Sequence, residues 1–120
     1  SWTDIEKNAK GQTVYLNAWG GGERINAYLR WVGEQVQTQY GVKLVHVKVA
    51  DIAETIARVR GEVAAGKRNN GSADLMWVNG ENFATLKREG LLFGPFAQSL
   101  PNFVHVDTVG KLPTINLSLT

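Results

Sequence analysis

Three residues of one kind, Gly20-Gly21-Gly22, stand between Trp19 and Glu23, where an alternating apolar run gives way to a helical pattern. Glycine lets backbone approach a ligand closely. It also leaves the first-turn N–H groups of a following helix unscreened, ready for an anion or a carbonyl oxygen. Two more polar clusters fall after later apolar runs: Ala50-Asp51, and Asn79-Gly80-Glu81-Asn82. In an open parallel sheet, the carboxyl ends of the strands are where ligands bind. The loop donors favour a carboxylate, phosphate or carbonyl. Asp51 and Glu81 favour a cation or amine, and Trp19 offers a ring face to an aromatic or cationic group. These do not agree on one ligand.

Familiar chemistries fit poorly. A dinucleotide loop needs G-x-G-x-x-G, but counting from Gly20 the third glycine position holds Ile25. Asp51 falls late for a ribose-binding acid and is better placed as a helix cap. Gly66-Lys67 is followed by Arg68, without the Ser or Thr of a phosphate loop. A tight turn accounts for one or two of the three glycines. His46 reads as a packed or surface histidine, and His105 near Asp107 is a weak metal signal. No cysteine is present, which excludes disulfides and thiol chemistry. No Ser-His-Asp spacing or paired-carboxylate motif stands out. The expectation is therefore binding without catalysis, cofactor or metal; the alternative is a small α/β enzyme or nucleotide-binding module.

The elements that position these clusters follow from periodicity. Trp2, Ile5 and Ala9 suit a short helix over Ser1 to Lys10. Thr13 to Trp19 reads as a strand. From Glu23, apolar residues at Ile25, Tyr28, Leu29, Val32 and Val36 predict a helix with one buried face, ended by Gly41. Val42 to Val49 is the clearest strand. Asp51 with Glu54 predicts a capping box on a helix whose stripe is Ile52, Ile56, Val59 and Val63. Ala73 to Asn79, unbroken from Leu75 to Val78, reads as a central strand covered on both faces. A short helix opens at Glu81 or Asn82, with Phe83 and Leu86 inward and Gly90 as its stop. Trp2, Trp31 and Trp77 are expected to pack; Trp19 sits at the rim. Leu91 to Lys111 is irregular, and Thr114 to Leu119 reads as a last strand that stops unfinished. Alternating strands and helices predict an α/β fold: a three-layer, mainly parallel sheet with helices on both faces.

Composition agrees. The 120 residues are 43% hydrophobic and 20% charged, which suits one α/β domain over residues 1–120. No apolar run approaches ~18 residues, the length of a transmembrane span. Ser1 to Gly11 does not read as a secretory signal, and a mature exported protein looks the same. Net charge is +2 with the basic residues scattered, so no nucleic-acid footprint is expected.

The segments "GQTVYLNAWGGGERINAYLRWVGEQVQTQYGVKLVHVKV" and "ADLMWVNGENFATLKREGLLFGPFAQSLPNF" together resemble the start of an extracellular solute-binding protein of an ABC transporter, with the type 2 periplasmic binding fold. "WVNGENF" and "GLLFGPF" carry most of the likeness, and the branch is related to iron, polyamine and thiamine binders. The resemblance implies two lobes with a solute in the cleft between them. This chain would then be a fragment of the first lobe, with the second absent. It implies delivery to a membrane permease, a periplasmic location, and contacts from Trp19, Gly20, Gly21, Gly22, Glu23, Asp51, Asn79, Gly80, Glu81 and Asn82. A lobe cut short is expected to self-associate through Thr114 to Leu119.

Overall fold

Strand β1, Thr13–Trp19, lies between its two neighbours in a three-stranded parallel sheet, with β2, Lys43–Val49, on one side and β3, Leu75–Met76, on the other. The structure is a computed structural model and describes residues 1–107 and 109. The expected strand at Thr114 to Leu119 lies outside them. Tyr15 stands opposite Val45, Asn17 opposite Val47 and Trp19 opposite Val49. The two-residue period of a strand therefore puts these six on one face, and Val14, Leu16, Ala18, Leu44, His46 and Lys48 on the other.

Parallel neighbours need long crossovers, and helices supply them. Helix α1, Trp2–Ala9, precedes the sheet and is closed by a capping box between Ser1 and Asp4. Helix α2, Glu23–Tyr40, covers the Leu44 face: a Cβ on Gly33 would lie 3.7 Å from the Leu44 carbonyl. Helix α3, Ala53–Ala64, covers the other face, where the Thr55 hydroxyl donates to Asn17 Oδ1 at 3.1 Å. The α/β architecture with helices on both faces is as expected. Gly41 ends α2 at φ 67°, the left-handed cap that its position predicted.

The chain divides into two compact units, Ser1–Val78 and Asn79–Thr120. The first holds the sheet, with Ala18, Leu29, Val49 and Ile56 buried. The second opens with helix α4, Gly80–Arg88, and continues through 3-10 turns at Ala97–Ser99 and Pro101–His105. Leu86 is fully buried, and Gly90 follows the helix at φ 69°.

Several expectations are corrected. In the expected stripe of α2, Leu29 is buried and Val32 and Val36 are half-buried, but Ile25 and Tyr28 are exposed and Asn26 is buried instead. The reason is a hydrogen bond, because Asn26 Nδ2 donates to the Gly20 carbonyl at 2.9 Å and draws that position inward. Trp31 is exposed and stacks on Tyr28 with ring centroids 6.0 Å apart. Trp2 is exposed too, its indole N–H donating to Glu6 at 2.8 Å. Strand β3 pairs with β1 alone among the described residues and is two residues long, so it is not central, and Trp77 beyond it is 66% exposed. In α3 the buried pair is Thr55 and Ile56, and Val63 is exposed. No Glu54 capping box forms there; Asp51 Oδ1 instead accepts from Ala53 N at 2.9 Å, one position early.

Candidate functional site: the glycine loop and the start of helix α2

The loop after β1 is shaped by what lies over it. Gly20 N donates to the Val49 carbonyl at 3.1 Å, which carries the pairing with β2 one residue further. A Cβ on Gly20 would lie 2.5 Å from Lys48 Cβ. A Cβ on Gly21 would lie 2.4 Å from Trp19 Cζ2, and one on Gly22 would lie 3.1 Å from Trp19 Cζ3. None of the three has a positive φ. The glycines are thus required by close approach: the Lys48 stem fits against the first and the Trp19 indole lies over the other two. The indole itself is 49% exposed.

The loop leads into an uncapped helix. Gly22 is the N-cap of α2 in extended conformation and has no side chain to offer the first-turn N–H groups of Glu23, Arg24 and Ile25. Such groups and the helix dipole attract anions and carbonyl oxygens. Glu23 does not fold back to cap them, because Arg30 Nη2 holds its carboxylate at 2.6 Å. That hydrogen bond, then the Arg30 charge and more weakly Lys48, hold the Glu23 carboxyl below its ordinary range. Beneath the loop, Asn26 is only 6% exposed, and its Oδ1 is the one buried side-chain polar atom without a partner among the described residues.

The other helix starts differ. Asp51 spends Oδ1 on the start of α3, and Asn79 Oδ1 accepts from Asn82 N at 2.9 Å at the start of α4. Asp51 follows β2 at the same sheet end as the glycine loop. Asn79, Gly80, Glu81 and Asn82 belong to the second unit, where Asn79 caps and the other three form the first turn. Among the described residues no group of three His, Asp or Glu could hold a metal, and His46 donates through Nε2 to the Ala18 carbonyl at 3.0 Å.

Sequence reasoning missed a polar network on the α3 face. Asn17 is fully buried at the centre of β1. Its Oδ1 accepts from Thr55 Oγ1 and from Arg58 Nη2, and its Nδ2 donates to the Ser72 carbonyl at 3.1 Å. Arg58 Nε donates to Ser72 Oγ at 2.7 Å, while Glu62 accepts from the Ser72 hydroxyl and backbone N–H. These Ser72 hydrogen bonds, with smaller help from Lys67 and Arg58, hold the Glu62 carboxyl below its ordinary range. A polar residue inside an apolar strand was the available signal, and Asn17 is that residue.

The site therefore belongs to an α/β protein with a parallel open sheet and a glycine loop at the strands' carboxyl end. The chain is similar to protein YnjB of Escherichia coli (strain K12), with 50% identity over 107 residues, 89% of this chain. It spans 28% of that relative's length. No family model matches the chain, and no solved structure matches it.

Proposed function

We propose that the chain is the solute-capturing part of a substrate-binding protein of an ABC transporter, from the first lobe of a type 2 periplasmic binding fold. The observation that carries this reading is the start of α2: first-turn N–H groups with no side-chain cap, and the Trp19 ring against Gly21 and Gly22 beside them. A small solute bearing a carboxylate, phosphate or carbonyl suits the N–H groups, and an apolar or ring portion suits Trp19. Capture here needs no bond-making group, which agrees with a carrier that hands its cargo to a membrane permease. A periplasmic location follows from that role. One lobe supplies part of the contact and a second lobe closes over the rest, since pockets for small molecules hide most of the ligand surface. Native mass spectrometry of the full-length protein from its source tests the reading. A retained solute of a few hundred daltons is expected, and a consistently empty protein with hydrolytic or transfer activity would refute it.

A further inference from the structure

A second concave surface lies away from the glycine loop, on the α3 face of the sheet. It is an open depression of about 340 Å³, lined by Tyr15, Val47, Arg58, Lys67, Asn70, Gly71 and Ser72. Tyr15 and Trp19 share a strand face four residues apart, so the two places are separated by about 13 Å along the strand. The lining carries two cations and no carboxylate. Two acids adjoin the lining: Glu62 accepts from Ser72 and is within reach of the Lys67 and Arg58 charges, and Asp74 Oδ2 accepts from Tyr15 N at 2.8 Å.

The decisive feature is how Arg58 is held. A guanidinium is a rigid planar fork, and Nε with Nη2 forms one of its edges. In this protein that edge is fixed by Ser72 Oγ and by the buried Asn17 Oδ1. The remaining edge, Nη1 with the second Nη2 hydrogen, is directed away from both partners. An arginine immobilised in this way loses little freedom when a planar acid binds end-on through two oxygens. Lys67 adds a second positive charge, and Tyr15 with Val47 supplies ring and aliphatic surface for an apolar body.

We infer that this depression is a second ligand site, for a small monocarboxylate with an apolar body, gripped end-on by Arg58, attracted by Lys67 and backed by Tyr15 and Val47. It is independent of the glycine loop and uses none of its residues. The test is a titration of ¹⁵N-labelled full-length protein with benzoate, followed by amide and arginine Nε chemical shifts, with inorganic phosphate in a parallel arm. Benzoate is expected to give saturable shifts at Tyr15, Gly71, Ser72 and Arg58 Nε, with a dissociation constant on the order of millimolar. Lys67→Gln, at an exposed position, is expected to keep the fold and weaken benzoate about three- to fivefold. Arg58→Lys keeps the charge but loses the fork and is expected to abolish the saturable shifts. Should that variant unfold, Lys67→Gln alone decides. Phosphate saturating these amides while benzoate does not would overturn the assignment to carboxylates. No saturation by either probe, or undiminished affinity in Lys67→Gln, would overturn the site. Benzoate shifts confined to Trp19–Ile25 would also overturn it, and would leave the glycine-loop reading standing.

Discussion

The two faces of the sheet solve the problem of a polar group near the core in opposite ways. On the α3 face, Asn17 is buried and meets three partners, Thr55, Arg58 and Ser72, with Glu62 closing the network behind Ser72. On the α2 face, Asn26 is almost as buried but makes one side-chain bond, to Gly20, and leaves its carbonyl oxygen bare. A satisfied buried network fixes one packing, whereas Asn26 ties α2 to the glycine loop by a single side-chain bond and leaves the first-turn N–H groups without a side-chain cap. The contrast separates a closed polar cluster from a helix start left open, although each rests on an asparagine.

The largest effect is expected at Asn17. Asn17→Ala strips a charged donor and a buried hydroxyl of their acceptor and should lower stability by about 3 kcal/mol in urea unfolding. A loss well below about 1 kcal/mol would show that the network is decoration. Asn26→Ala removes one hydrogen bond and also deletes an unsatisfied acceptor. It should cost about 1 kcal/mol, clearly less than Asn17→Ala, in the same measurement. Equal losses would erase the distinction between the faces.

The smallest effect is expected in acid. The Glu62 carboxyl is held below the ordinary value of 4.5 in the folded chain. A folded-state value below the unfolded one means that this stabilisation is present above that ordinary value and is lost as pH falls through the depressed one. Unfolding free energy measured from neutral pH downward should therefore decline in that acid window, and Glu62→Gln should decline less steeply. Parallel curves for the two proteins would show that Glu62 contributes nothing through its charge.

Much of the fold is legible in the sequence. β1 and the cap at Gly41 follow from alternation and a glycine just past a helical pattern. What was illegible was rotational. Apolar spacing alone put Ile25 and Tyr28 inside, because nothing in the pattern says that Asn26 bonds backwards to Gly20. Trp77 and Leu75 read as core because an unbroken apolar run suits a covered strand, yet Leu75 is half exposed and pairing ends at Met76. At the site, the glycine loop was visible, but its cause was not. The glycines yield to Lys48 and Trp19, two neighbours that only the sheet register and the indole rotamer bring against them. Arg58 and Ser72 were invisible as partners, since fourteen residues and a turn separate them.

The central claim is that the loop from Trp19 to Gly22 and the start of α2 hold a solute. It is tested most directly by calorimetric titration of the full-length protein and its Gly21→Val variant with the solute recovered from the native protein. Valine at this position must displace the Trp19 ring and fill the approach to the helix N–H groups. The expected result is affinity weakened at least about tenfold, or about 1.4 kcal/mol, with an unchanged circular dichroism spectrum. Undiminished affinity in a folded Gly21→Val protein would contradict the account.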